Sequence, residues 1–415
     1  MTEPSAQSID RLLPLWRQRE YMLLWSGQVV TTLGAQTSGI IYPLLILALT
    51  GSPAQASWAT ALRMLPYLLL SLPVGALIDR WDRRRVMLVC HVARGLAVAS
   101  VPLAMALGHL VVGHIYAVAV LEGALHVFFN IAETASLPRV VPMMQLPQAT
   151  AQNQAGFAAA GVLGPALGTW LYQAVGRGFP FLFDALSHVV GALAIWRLRS
   201  SFAPRAPKVR SSLRADMAEG LGWLWHQRVV RDMALVTCGT NFVQTAIPLL
   251  LIVRGKELGA DPAQIGLVFS LGGVGAIIGA AIGGAVARRL SFGQAIIGSV
   301  AVQAACVPLF LVAGGPWGLG LVYGMIMLLA PVYNVVQFSY RIALIPDGLQ
   351  GRVNSSFRLI AFLLTPVGAT LCGSLLEHFG SSATVAVFAA FYVALALAAG
   401  LNPAVRHAAK LPAQA

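Results

Sequence analysis

Long, nearly uninterrupted apolar runs dominate the chain, and most are separated by only a few polar residues. Twelve are legible, at 21–48, 57–78, 86–107, 112–135, 154–175, 180–198, 233–253, 262–286, 292–313, 317–340, 355–376 and 380–401. A helix needs about 20 mostly apolar residues to cross a bilayer. Lipid cannot satisfy backbone polar groups, which leaves helices or closed barrels as spanning structures. Barrel strands would be short and alternating, whereas these runs are long and continuous. The pattern predicts an all-α membrane protein with twelve transmembrane helices. Composition agrees, with 57% hydrophobic and 10% charged residues, where soluble domains run near half and a quarter.

The formal net charge is +13. Such a balance would suit nucleic acid, but in a membrane protein Lys and Arg gather in cytoplasmic loops. With the N-terminus inside, the inner loops receive Arg80, Arg83, Arg84, Arg85, Arg139, six basic residues between Arg197 and Arg214, Arg288, Arg289, Arg341 and Arg352. The outer loops receive little beyond Arg177, Arg254 and Lys256. Both termini are therefore expected in the cytoplasm, with no nucleic-acid partner. Arg11, Arg17 and Arg19 precede the first run without a small-residue cleavage site, so no signal peptide is expected.

Connections are short except for 199–231, which is Pro- and Arg-rich and then amphipathic ("SSLRADMAEGLGWLWHQR"). It reads as a linker carrying a helix on the membrane surface. It divides the chain into an N-terminal six-helix bundle (1–198) and a C-terminal one (232–415). The halves echo each other. Gln36 precedes Pro43 by seven residues, as Asn241 precedes Pro248; Asn153 precedes Pro165 by twelve, as Asn354 precedes Pro366. Matching order suggests duplication. Two similar halves with a binding site near the midplane are how many secondary transporters are built.

Six of the seven residues Asp79–Arg85, within "GALIDRWDRRR", are charged. They fall between spans two and three, where an acid beside several arginines can form a latch. The stretch resembles the inner-loop signature of the major facilitator superfamily, Gly-x-x-x-Asp-Arg-x-Gly-Arg-Arg. Gly75, Asp79, Arg80, Arg83 and Arg84 match, and Asp82 stands for the second Gly. The resemblance implies two pseudo-symmetric six-helix bundles and a loop that gates alternating access. "GGAVARRL" after span eight is a degraded copy, with Ala287 at the Asp position. In span five, Gly164, Pro165 and Gly168 resemble the antiporter motif of drug exporters in that superfamily, where Pro165 would bend the helix. Glu122-Gly123, "FLFDALSHVVGAL" and "GRVNSS" resemble the branch holding enterobactin exporters and macrolide efflux proteins.

An ionisable side chain at bilayer depth is a functional-site candidate. Glu122 lies about ten residues into span four, hence roughly 15 Å deep, and is the expected proton-coupling group. Arg63 in span two can reach Glu122 or an anionic substrate. Glu133 and Arg139 are expected to pair at the inner gate, Arg94 to serve the inner-loop charges, and Asp184 to be structural on a peripheral helix. In the resembled fold spans one, four, seven and ten line the cavity. That nominates Gln36, Tyr42, Asn130, Asn241, Gln244, Tyr333, Asn334 and Gln337, joined by Arg63 from span two, an amphipathic lining suited to a partly apolar molecule. The alternative for these amides is hydrogen bonding between helices.

Cys90, Cys238, Cys306 and Cys372 sit in apolar runs, and no histidine pair within one helix has ligand spacing, so neither metal nor cofactor is expected. Without a phosphate-binding Gly-rich loop or a nucleophile–base set, neither an ATP-driven pump nor an enzyme is expected. The sequence points to proton-coupled export of a small amphipathic molecule, drug- or siderophore-like, by a monomer exchanging protons amid membrane lipid. A lysophospholipid flippase, a nutrient importer, and a non-transporting sensor or scaffold remain the alternatives.

Overall fold

A computed structural model describes residues 13–78, 80–199, 213–346, 349–406 and 408. The described chain is almost wholly helical. The first bundle comprises α1 (Arg19–Gly39) with α2 (Ile41–Thr50), α3 (Pro53–Ile78), α4 (Arg83–Ala106), α5 (Val112–Val140), α6 (Leu146–Ala174) and α7 (Phe179–Trp196). After the connecting α8 (Leu213–His226), the second holds α9 (Arg228–Glu257), α10 (Pro262–Arg289), α11 (Phe292–Cys306) with α12 (Leu309–Val312), α13 (Pro316–Leu344), α14 (Gln350–Phe362) and α15 (Thr365–Leu401). Gly380, with φ of 76°, breaks α15 into two passes. Counting α1 with α2, α11 with α12, and α14 with the first part of α15 as single passes, the described helices make twelve.

The breaks have local causes. Pro43 cannot donate to the Gly39 carbonyl, and span one breaks at Ile40 between α1 and α2. Pro308 and Pro366 sit at the corresponding interruptions of spans nine and eleven. Large apolar side chains such as Leu96, Trp170, Leu321 and Leu397 are exposed on the outer surface, where lipid chains would cover them.

The packing repeats with a shift of six spans. Span two packs on four, three on four, one on six and three on six. In the second half eight packs on ten, nine on ten, seven on twelve and nine on twelve. Between halves, span two meets eleven and span five meets eight, again related by that shift. This is the pseudo-two-fold arrangement that the paired Pro spacings suggested.

Among the described residues, the contacts between halves gather on the face away from the termini. Glu377 of α15 accepts from Ser52 Oγ and from the Ala54 amide at 3.0 Å, capping the N-terminus of α3. A Cβ on Gly373 would meet Ser57 and Pro53, and one on Gly266 would meet Thr169. Ser270 donates to the Val162 carbonyl at 2.8 Å and the Ala263 amide to Gln173 at 3.1 Å. The halves are closed at that face and part toward the terminal face. The amphipathic α8 packs against α14, where Glu219 pairs with Arg352 and Gly220 abuts the Arg352 backbone.

A candidate transport site between the two bundles

Glu122 on α5 is fully buried. Its Oε1 accepts from Arg63 Nη2 of α3 at 2.6 Å and from Arg94 Nη2 of α4 at 3.2 Å. Its Oε2 accepts from the Tyr42 hydroxyl of α2 at 3.1 Å. Three neighbouring helices thus converge on one carboxylate. Gly123 makes this possible, because a Cβ there would collide with the Arg63 carbonyl. Gly39, at the break in span one, leaves room for the Arg63 guanidinium, whose Nη1 would lie 3.0 Å from an added Cβ. The two arginines differ. The Arg63 side chain is 30% exposed, whereas that of Arg94 is 5% exposed. Arg94 was expected near the inner-loop charges, but it points to mid-membrane because α4 turns it toward Glu122.

A second buried polar cluster adjoins the first. Asp184 of α7 accepts from Ser38 Oγ at 2.6 Å and lies 3.7 Å from His188 Nε2. His188 and His91 face each other, Nδ1 to Nδ1, at 3.1 Å. One ring must donate and the other accept. Asp184 was assigned to a peripheral helix, yet it is fully buried because α7 packs on both α1 and α4. Gly34 and Gly191 permit that approach, having no room for a Cβ beside Ser187 and His91. The signal was available in the i,i+4 spacing of Asp184 and His188, which puts both on one helix face.

Toward the terminal face a cavity of about 210 Å³ opens between the halves. Tyr67, Ser71 and Gly75 of α3, Asn130 of α5, and Ser355 and Arg358 of α14 line it. Asn130 and Gly75 were singled out from sequence, the latter as a gate residue; Tyr67 and Arg358 were not. Arg358 donates to the Tyr67 hydroxyl across the two halves and stands over its ring, 5.4 Å from the centroid.

The remaining nominated amides and hydroxyls lie in inter-helix contacts or on exposed faces. Asn241 donates to the Ala361 carbonyl at 2.9 Å, and Gln244 to Gln303 at 3.2 Å. The Tyr333 hydroxyl is 2.7 Å from Thr237 Oγ1, which also accepts from Gln337 at 3.4 Å. Asn334 is exposed. Gln36 is exposed along part of its length but packs its Cβ against Gly164, while Gly168 abuts the Thr37 carbonyl. These glycines bring α6 onto α1, and the Pro165 carbonyl accepts from Thr169 at 2.9 Å. The same stretch of α6 meets α10 of the other half.

Of the inner-loop residues, Asp79 lies outside the described residues. Arg83 donates to the Ala135 carbonyl at 2.7 Å, and Arg84 Nε to the Ile195 carbonyl at 3.1 Å, so both tie the loop to their own half. Arg80 is exposed. Asp82, the departure from the motif, caps α4 by accepting from the Arg84 and Arg85 amides. Glu133 is buried with the Gln28 side chain hydrogen-bonded to it, and Arg139 stands in the last turn of α5. Among the described residues no three His, Cys, Asp or Glu side chains are grouped to hold a metal.

The chain is similar in sequence and in fold to several known proteins. It is 29% identical over 400 residues to the "Multidrug efflux pump Tap" of Mycobacterium tuberculosis, covering 93% of this chain and 94% of that protein. It is 24% identical over 238 residues to "Macrolide efflux protein A" of Streptococcus pyogenes, covering 56% of this chain and 57% of that one. Among solved structures, the nucleoside transporter NupG superposes with a TM-score of 0.73 at 11% identity, over 92% of this chain and 98% of that one. A bacterial homologue of the lysosomal transporter Spinster, in an inward-facing conformation, superposes with 0.71 at 12% identity, over 94% and 97%. The family model for the Major Facilitator Superfamily matches residues 24–363. With its buried carboxylate and a cavity between two pseudo-symmetric halves, this chain is a multi-pass membrane transporter, not an enzyme, and it belongs to the Major Facilitator Superfamily.

Proposed function

We propose that the protein exports a small amphipathic molecule in exchange for protons, by alternating access, from the inner membrane with both termini cytoplasmic. Export is supported by the extended likeness to a multidrug efflux pump and the shorter one to a macrolide efflux protein. The observation that carries coupling is the Glu122 cluster. A carboxylate at bilayer depth is costly unless paired, and here the pairing joins three helices of one half to α5. Arg63 is the more exposed of the two cationic partners. If substrate or helix movement draws Arg63 away, Glu122 keeps the longer Arg94 contact and the neutral Tyr42 hydroxyl, and a proton replaces the lost positive charge. Return of Arg63 expels it. Substrate and proton thus compete for one arrangement of charge, as exchange requires.

With the terminal face assigned to the cytoplasm by the Lys and Arg distribution, the described conformation is open inward. The outer gate is then the Glu377, Gly373 and Gly266 contacts. Asp79 and its arginines, with Glu133 and Arg139, close the inner side in the opposite state. The monomer suffices, since cavity and carboxylate belong to one chain.

The test is transport into proteoliposomes. Glu122→Gln should retain substrate counterflow, which needs no proton, and lose accumulation driven by a pH gradient. Gradient-driven accumulation at the wild-type level in Glu122→Gln would remove Glu122 from coupling. Failure of the wild-type protein to move any solute would remove the transport proposal altogether.

A further inference from the structure

The two halves differ in how their interior charge is balanced. In the first, the buried acids Glu122 and Asp184 stand among Arg63 and Arg94. In the second, Arg341 near the end of α13 is only 6% exposed, and Arg358 projects into the cavity. Neither has a carboxylate partner among the described residues. Arg341 is instead held over the rings of Phe357 and Phe338, 4.0 and 5.5 Å from the centroids, and its Nε has no hydrogen-bond partner. The described acids of this half offer no balance within the membrane. Asp232, Glu257, Asp261 and Glu377 stand near helix ends, and Asp347, in the sequence between α13 and α14, lies outside the described residues. Two guanidinium groups near one wall, one buried and one facing the cavity, thus stand without a carboxylate among the described residues where a ligand would sit.

The neighbours of Arg358 suit an anionic group joined to an apolar body. Ser71 and Asn130 line the same cavity, and neither side chain has a hydrogen-bond partner among the described residues. Tyr67 and Phe362 meet edge to face, with ring centroids 6.1 Å apart, and supply an apolar wall beside the guanidinium. With Nη2 on the Tyr67 hydroxyl, the Arg358 guanidinium keeps further N–H groups, which match the oxygens of a carboxylate, phosphate or sulfonate.

We infer that this cavity binds the anionic head of an amphiphile through Arg358, with Ser71 and Asn130 donating beside it and Arg341 reinforcing the positive field. The inference rests on the transport reading and names its substrate class. One ligand chemistry could come from a dissolved organic acid or from an anionic lipid headgroup.

The experiment is calorimetric titration of the purified protein in a neutral detergent. The probes are 2-naphthalenesulfonate, 2-naphthylmethanol and 2-naphthylmethyl-trimethylammonium, which share a ring and differ in charge. The sulfonate should bind tightest. Arg358→Gln should weaken the sulfonate by at least tenfold, about the loss of one charge-assisted hydrogen bond, and Arg358→Lys should weaken it less. The alcohol should change by less than twofold. Competition by phosphatidylglycerol but not phosphatidylcholine identifies a lipid headgroup as occupant, and absence of competition identifies the dissolved acid. Sulfonate binding that is absent in the wild type, unchanged in Arg358→Gln, or weaker than that of the cation overturns the inference. Because binding is read without transport, the two readings fail separately. Export of a drug by protein that ignores the sulfonate sinks only the anion site, whereas Arg358-dependent binding without transport sinks only the transport reading.

Discussion

Removing the charge of Glu122 should cost most through Arg94, not through Arg63. Glu122→Gln leaves two guanidinium groups without a counter-charge. Arg94 is 4% exposed, and stripping the partner from a buried pair costs about 3–5 kcal/mol; the glutamine oxygen still accepts, which puts the expected loss at about 3 kcal/mol. Arg63 has a 30% exposed side chain, and pairs with access to a polar space contribute about 1 kcal/mol or less. Two double variants separate the contributions. Glu122→Gln with Arg94→Gln removes both buried charges and should recover about 2 kcal/mol of the Glu122→Gln loss, within the range for residues in contact. Glu122→Gln with Arg63→Gln should recover about 1 kcal/mol or less. The assay is the melting temperature of purified protein in neutral detergent, with size-exclusion profiles as a check on folding. The expected order from lowest is Glu122→Gln, then the Arg63 double, then the Arg94 double. If the Arg63 double recovers more than the Arg94 double, or Glu122→Gln melts with the wild type, the assignment of the buried charge is wrong.

Other consequences follow from single contacts. Gly123→Ala places a methyl against the Arg63 backbone and should cost about 1–3 kcal/mol. Gly113→Ala, on the same helix with open space around it, should melt no lower than wild type; equal melting of the two variants would refute the close approach of α3 and α5. Asp82→Ala should lose about 1 kcal/mol as a missing N-cap, Asp82→Asn most of it regained, and parity between the two would deny the cap. Glu377→Ala should loosen the face away from the termini. Spin labels at Gln55 and Ser374 should then show a larger share of long distances, and an unchanged distribution would exclude that contact from the gate.

Much of this fold was legible because lipid imposes a strong pattern. Apolar runs of membrane length, a charged loop after span two and paired Pro spacings sufficed for twelve passes in two related halves. Glu122 could be found because a lone acid deep in an apolar run has few explanations. Its partners were harder. Arg63 was named, but Arg94 and Tyr42 meet it only through the packing of α2 and α4 on their neighbours, which no spacing along one helix encodes. The amides chosen for cavity positions show the same limit. Asn241 and Gln244 share a helix face, as their spacing required, yet that face meets Ala361 and Gln303 of adjacent helices. Arg358 escaped notice because it lies near the start of a span, where a cation reads as a topology signal.

Alternating access is tested most directly at the cavity itself. The four native cysteines are buried, so a cysteine introduced at Ser71 should report alone. In oriented proteoliposomes, a membrane-impermeant maleimide should label Ser71→Cys rapidly from the terminal face at rest. With substrate and a pH gradient applied, labelling from the opposite face should rise as that from the terminal face falls. Labelling from one face only, under every combination of substrate and gradient, would contradict the mechanism.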